Sequence, residues 1–546
     1  MRDTIAHFLL LLTALTLATA GLAGAVGWAV SETADRPAPE VETSDSGQSP
    51  PDPADLWQVR PGLAIERFAT GLQLPVNLGL APDAASDPTA AFLYVTELYG
   101  RVRVLTMDGT VSVYEDGLLN FDPSSDPFPG AGETGVTGIV VEPESGDLFV
   151  GLVYLDEADG VVKNRVMRLE SSPDGMLAVG EQLVLEGIPA RIDHQVQALT
   201  IGPDGKLYVN VADGFEPDAA QDDNDLRGKI LRLNLDGSIP ADNPTPASAV
   251  YAKGFRNPFG AAWHPDQPWL YASDNGTFEG DRILKVEPGG NYGWNGSTDS
   301  LRQNALLLFD RTNAVSPTAI AFDRDGLLTP AGEAHLFVAV TGPTYALGSV
   351  NTGKKILDLR LNAAGEVEEI TELLRYVGDG RASVIGIAFG PNGLYFSDLY
   401  GEAGFDAGPV VANIYRVFPK DMDGDGDGCT DVEELGSDER FGGRRDPHNF
   451  WDFFDADRDG AVAFGDFLLL IQHFGSNDNT GEASINRNSD PLTTPDPGPG
   501  SYHPRFDRGD VVGTNPWNLG PPDGTIAFDD FLALIAQYGH VCAGPP

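Results

Sequence analysis

The chain has 546 residues, with 81 acidic against 35 basic side chains and a formal net charge of −46. That excess leaves no basic footprint for nucleic acid or an anionic membrane surface, and it suits an exported protein or one that holds cations. A hydrophobic content of 41% sustains a globular core, the length calls for two or more domains, and 65 glycines with 41 prolines point to a turn-rich, all-β architecture.

Residues 1–30 begin with one arginine and continue as an apolar run that ends in small residues. This pattern predicts a signal peptide or an N-terminal anchor, so the rest of the chain is expected to be extracellular or at the cell surface. Residues 31–58 are rich in Pro, Ser, Asp and Glu and read as a disordered linker.

From there a hairpin recurs. An apolar strand, a turn and a second strand appear around Pro82, Pro143, Pro203, Pro265, Arg324 and Pro391, as in "ALTIGPDGKLYVNVA". An isolated hairpin is marginal in water, so each copy needs further strands and neighbours. Six copies closing on themselves leave only short, protected edges, and residues 59–418 are predicted to form a six-bladed β-propeller.

The long insertions between copies are expected on one face, where function tends to sit. "RIDHQVQ" places Asp193 beside His194, a pairing that is either a satisfied loop histidine or a general base with its carboxylate. A lone Asp-His pair is more often structural than catalytic. "GFRNPFG" sets Arg256 and Asn257 between glycines, which permit close approach of a ligand, while the guanidinium offers a planar, permanently charged fork.

Taken together, these loops resemble the glucose/sorbosone dehydrogenase family of soluble quinoprotein aldose dehydrogenases. The similarity is carried by "GAGETGVTGIVVEP", "DHQVQALTIGPDGKLY", "AQDDNDLRGKILRLNLDGSIPADNP", "GFRNPFG" and "EPGGNYGW". The family fold is a six-bladed propeller, in agreement with the repeat. The resemblance implies pyrroloquinoline quinone (PQQ) with calcium, a small sugar substrate and an external electron acceptor. It implies that His194 takes the proton of the sugar C1 hydroxyl, that Asp193 orients the imidazole, and that Arg256 polarises a quinone oxygen. Glu133, Gln221 and Asn257 would contact cofactor or substrate. Arg381 would pair with a cofactor carboxylate, and Lys354 is the nearest counterpart of a lysine that does so in some members. Backbone oxygens of Gly276 and Thr277 would hold the cofactor calcium. The segment from Gly276 to Arg282 departs from the family's calcium loop, lacking its proline and ending in arginine where the family has glutamate. The competing reading is a non-catalytic extracellular propeller that binds protein or polysaccharide.

After Pro419 the composition changes. In "DMDGDGDGCTDVEELG", Asp423, Asp425 and Asp427 alternate, Gly428 follows, and Asp431 and Glu434 stand at the ninth and twelfth positions, the spacing of an EF-hand-type calcium loop. Asp455, Asp457, Asp459 and Asp466 form a second loop, followed by a predicted helix. Asp523 and Asp530 echo it in a third, which is either degraded or enlarged by an insertion reaching back to Asp507. These loop–helix units resemble dockerin-type and thrombospondin-type repeats. The resemblance implies that residues 419–546 are a small α-rich calcium module, with a cell-surface or protein partner as a further expectation. Cys429 and Cys542 either close this module with a disulfide or remain as two thiols.

Overall fold

The structure, a computed structural model, describes residues 51–542 except 83–89, 124–131, 278, 303, 310–314, 344–345, 403–410, 482–483 and 513–514. The predicted leader or anchor and residues 31–50 of the predicted linker lie outside the described residues.

The six predicted hairpins are the two inner strands of six antiparallel sheets. The innermost strands are Pro75–Leu80, Val136–Val141, Val196–Ile201, Gly260–Trp263, Pro317–Phe322 and Val384–Gly390. Each packs against the next, and the last packs against the first, so the sheets close into a ring. The faces between blades are filled by Val, Leu, Ile and aromatic side chains from the second strands, such as Leu93–Glu97 and Leu207–Val211, which are buried along their whole length. A strand apolar on both faces needs cover on both, and here the neighbouring blades of the ring provide it.

The ring is closed by an early segment. Leu63–Leu72 pairs antiparallel with Ala412–Pro419 as the outer strand of the sixth blade. The predicted linker is also shorter than its composition suggested. Pro53–Leu56 is helical, and Trp57–Val59 adds a fifth strand to the edge of the fifth blade. The reason is Trp57, 1% exposed, which packs edge-on against Tyr376, Phe396 and Tyr415.

The C-terminal module is less helical than predicted. Its α-helices are Asp431–Glu434, Phe464–His473 and Phe528–Gln537, and turns and short 3-10 segments make up most of the rest. Loops that present a carboxylate at every second position cannot be helical, and they occupy much of the length. Cys429 and Cys542 are joined by a disulfide, their Cα atoms 5.1 Å apart and 113 residues distant in sequence. The bridge sits in a small core with Phe453, Phe454, Tyr502 and Phe506.

Candidate active site

A cavity of about 780 Å³ opens among the loops at one end of the ring. His194, Asp193, Glu133, Arg256, Asn257, Gly276 and Thr277 all line it, although they come from three different blades. Val76, Leu98, Phe259, Ile385 and Leu399 supply an apolar floor from the inner strands and adjoining loops.

His194 precedes the innermost strand of the third blade, is 5% exposed, and has φ of 64°. A non-glycine residue in the left-handed region is uncommon and marks a place where surroundings hold the backbone. Two contacts hold it. The His194 N–H donates to Glu133 Oε2 at 2.7 Å, and the ring stacks on Phe215, centroids 4.0 Å apart.

The predicted role of Asp193 is corrected. Nδ1 of His194 is bonded to Asp213, while Asp193 Oδ1 accepts the Glu133 N–H at 3.0 Å and so fixes the loop. A side chain one residue away on a tight turn points elsewhere; the carboxylate at the end of the neighbouring strand reaches the ring. Asp213 Oδ2 also accepts Trp294 Nε1–H at 2.7 Å, and its Oδ1 accepts the Phe215 N–H at 2.9 Å. Burial alone would raise the Asp213 pKa, but the hydrogen bonds and charge of His194, with those from Trp294 and Phe215, hold it below the usual carboxylate value.

The sequence did contain a signal for Asp213. The second strand of four blades ends in or leads into an acidic residue: "LYVTE" to Glu97, "LYVNVAD" to Asp213, "LYASD" to Asp274 and "LYFSD" to Asp398. All four are buried, and all accept backbone N–H groups of nearby loops. The position is a loop anchor, and in the third blade it also holds an imidazole.

Asp274 performs the anchoring under the arginine loop. Its Oδ1 accepts the N–H groups of Arg256 at 3.1 Å and Asn257 at 2.8 Å. Its Oδ2 receives Arg282 Nη2 at 2.7 Å, and Arg282 further donates to the carbonyls of Tyr292, Leu301 and Gly254. Arg282 is thus a fully buried structural cation. The Asn257 amide donates to Glu133 Oε1 at 3.0 Å, and Gln197 Nε2 donates to Glu133 Oε2 at 2.6 Å, which makes Glu133 the hub joining the histidine and arginine loops.

Arg256 Nη1 donates to the carbonyls of Asn275, at 3.1 Å, and Gly276. The Gly276 oxygen assigned by resemblance to calcium therefore already accepts a guanidinium. Beside it, Asn275 Oδ1 is buried with no hydrogen-bond partner among the described residues, and Asp281 lines the same wall. Carbonyl and carboxylate oxygens of this kind suit a hard cation. Phe278, in the same loop, lies outside the described residues.

Three predicted contacts do not line the cavity. Gln221 donates to Asn291 Oδ1 at 3.1 Å and to the Trp294 carbonyl at 2.9 Å, and so braces the turn below. Arg381 is buried against the Tyr400 ring, 4.1 Å from its centroid. Lys354 is fully buried, donates to the carbonyls of Ala346 at 2.8 Å and Gly380 at 3.3 Å, and its ammonium is pushed down to about 8 by burial. Gln221 and Lys354 thus satisfy loop carbonyls, and Arg381 packs on a ring.

In the C-terminal module, carboxylate oxygens of Asp423, Asp425 and Asp427 converge, as do those of Asp427, Glu434 and Asp452, and those of Asp455, Asp457 and Asp466. Asp452 was not foreseen, because it lies outside the loop spacing. Asp431 is corrected: it accepts the Gly424 N–H at 2.6 Å and pairs with Arg416 at 2.7 Å. Asp459, Asp523 and Asp530 also stand outside these groups, with Asp459 and Asp523 each capping a following N–H and Asp530 accepting those of Arg508 and Ala527. Asp507 accepts the N–H groups of Asp523 and Gly524, so the third loop is the enlarged form, opened by Asp507.

Residues 77–314 match the Glucose / Sorbosone dehydrogenase family. The matched span contains His194, Asp213, Arg256 and Asn257 and stops before Lys354 and Arg381. Quinoprotein glucose dehydrogenase B of Acinetobacter calcoaceticus is 41% identical over 133 residues, 20% of this chain and 28% of that one. The chain thus spans less than a third of that relative's length. An aldose sugar dehydrogenase of Escherichia coli is 36% identical over 95 residues, 16% of this chain and 26% of that one. Among solved structures, an oxidoreductase (glucose dehydrogenase) from Thermus thermophilus superposes with a TM-score of 0.51 at 27% identity, covering 65% of this chain and 100% of the other. The PQQ-bound aldose sugar dehydrogenase from Streptomyces coelicolor shares the fold, with a TM-score of 0.50 at 22% identity, covering 66% of this chain and 100% of that one.

Proposed function

We propose that the chain, whose residues 77–314 match the Glucose / Sorbosone dehydrogenase family, is a PQQ- and calcium-dependent sugar dehydrogenase that oxidises a C1 hydroxyl to the lactone. The observation that carries this reading is that His194, bonded through Nδ1 to Asp213, lines the same cavity as Arg256.

The proton chemistry follows from the hydrogen bonds. With Nδ1–H donated to Asp213, Nε2 keeps its lone pair and is the acceptor for a hydroxyl proton in the cavity. The imidazolium so formed is stabilised by the same carboxylate, which stays ionised because its hydrogen bonds favour the charged form. The stack on Phe215 and the Glu133 bond to the His194 N–H fix the ring, so little ordering remains to be done when substrate arrives.

When bound, PQQ supplies a two-electron acceptor for the C1 hydride. Arg256 would face the oxygen that gains negative charge, an electrostatic role suited to a permanently charged group. A cavity of about 780 Å³ admits a flat tricyclic cofactor beside a monosaccharide. Asn275 Oδ1 and the Gly276 and Thr277 carbonyls are the groups that would hold its calcium, Gly276 by releasing Arg256. Export of the chain is part of the proposal, and the Cys429–Cys542 disulfide supports it, since such bonds persist in oxidising compartments.

The test is reconstitution with PQQ and calcium, followed by dye reduction with a panel of aldoses. The parent protein is expected to turn over. His194→Asn, chosen because asparagine tolerates the left-handed backbone, is expected to bind cofactor and lose activity by about 10²–10⁴-fold. Failure of the parent to bind PQQ, or full activity in His194→Asn, would refute the proposal.

A further inference from the structure

The first acidic loop of the C-terminal module contains more than its spacing predicts. Glu434 is 0% exposed, and neither of its carboxylate oxygens has a hydrogen-bond partner among the described residues. Asp425 Oδ2, Asp427 Oδ2 and Asp452 Oδ1 are likewise buried and unpartnered. The oxygens of Asp427, Glu434 and Asp452 lie within 4.8 Å of one another. Asp425, Asp427 and Asp452 each accept a backbone N–H on the other oxygen, but several buried carboxylate oxygens left without donors are strongly unfavourable unless a cation lies beside them. The nearest guanidinium, that of Arg445, reaches only 4.0 Å from Asp452 Oδ1 and commits its donors to Gln537, His540 and backbone carbonyls. An all-oxygen, carboxylate-rich set selects a hard divalent ion of the calcium type.

A second relationship links this site to the propeller. Asp431 stands on the same short helix as Glu434 and accepts the Gly424 N–H of the loop. Its other oxygen takes Arg416 Nη2 at 2.7 Å, and Arg416 Nε lies 2.5 Å from Glu66 Oε1. Arg416 and Glu66 face each other across Ala412–Pro419 and Leu63–Leu72, the strand pair that closes the ring. Asp431 and Arg416 are both fully buried. The loop that surrounds the acidic site is therefore pinned to the closing strands by a buried ion pair.

We propose that Asp452, contributed from outside the loop, completes a divalent-cation site with Asp425, Asp427 and Glu434, and that occupancy of this site stabilises the closure of the propeller through Asp431 and Arg416. The site lies outside the dehydrogenase cavity and does not depend on the activity assigned to it.

The experiment uses the full chain, stripped with a chelator and titrated with calcium alone. Calorimetry is expected to give a site whose affinity falls at least tenfold in Asp452→Asn, while Asp459→Asn leaves that site unchanged. Hydrogen exchange of the unmodified chain is expected to slow in 63–72 and 412–419 when calcium is added. A binding isotherm unaltered by Asp452→Asn would overturn the ligand assignment. Calcium binding with no change of exchange in those two strands would overturn the coupling. Because the second readout needs no variant, it stands even where Asp452→Asn folds poorly.

Discussion

The imidazole of His194 is bonded to Asp213, 19 residues along the chain, and the aspartate next to it in sequence serves the backbone of Glu133 instead. The bond fixes which ring nitrogen faces away from Asp213, so the nitrogen proposed above as the general base is set by a residue on the far side of a hairpin. Trp294, from the following blade, secures the other oxygen of the same carboxylate.

Replacing Asp213 is expected to be the more damaging of the two aspartate substitutions. Asp213→Asn presents an amide that can offer a donor where an acceptor is required, and kcat should drop by about 10²–10⁴-fold. Asp193→Asn keeps one acceptor for the Glu133 N–H, and a loss under about tenfold is expected. Steady-state dye reduction on both variants, at matched cofactor loading, decides between them.

The Arg282–Asp274 pair has no exposure on either side. Arg282→Met would leave Asp274 charged and buried and would free the three carbonyls that Arg282 now satisfies. A loss of about 3–5 kcal/mol is expected on removing one partner of a buried pair. Because Asp274 also fixes Arg256 and Asn257, cofactor affinity should weaken in the same variant. Urea unfolding and PQQ titration measure the two effects.

His335 and Asp358 set a pH window for the fifth blade. Burial alone would raise the Asp358 pKa, yet the bonds from His335, at 2.6 Å, and Arg60, at 2.7 Å, hold it below 3.8. Burial alone would lower the His335 pKa, yet Asp358 and Glu333 raise it above 6.5. The Asp358 contribution is therefore present above pH 3.8 and lost as pH falls through its lower folded value. That of His335 is fully present below pH 6.5 and lost as pH rises through its higher folded value. His335→Gln should cost about 1–2 kcal/mol near pH 5 and progressively less toward pH 9. Chemical denaturation at several pH values gives the profile, and a pH-independent difference would contradict it.

Reducing the Cys429–Cys542 bridge opens a loop of 113 residues. Closing such a loop restricts the unfolded chain by an amount worth about 3–5 kcal/mol. The Cys429→Ala/Cys542→Ala chain should unfold its C-terminal module at clearly lower denaturant, with 59–418 much less affected. Limited proteolysis followed by mass spectrometry locates the first cleavage.

The hairpin turns around Pro143, Pro203, Pro265 and Pro391 were legible because turn chemistry is local: a few residues fix the geometry of a turn whatever surrounds it. The same is true of the alternating carboxylates at Asp423, Asp425 and Asp427, whose spacing alone directs them toward one point. Local order did not show that Trp57 belongs to the fold, because its burial depends on Tyr376, Phe396 and Tyr415 from other blades.

The amino-acid sequence by itself determined six strand–turn–strand units, an acidic C-terminal module and a histidine and an arginine on neighbouring loops. Only the tertiary structure decided which groups meet: Asp213 with His194, Asp452 with Glu434, and Arg282 beneath Arg256, while Gln221, Arg381 and Lys354 found partners outside the cavity lining. The reason is geometric. Turns and alternation are set by nearest neighbours along the chain, but a side chain's partner is set by ring closure, which brings together residues that no sequence spacing relates.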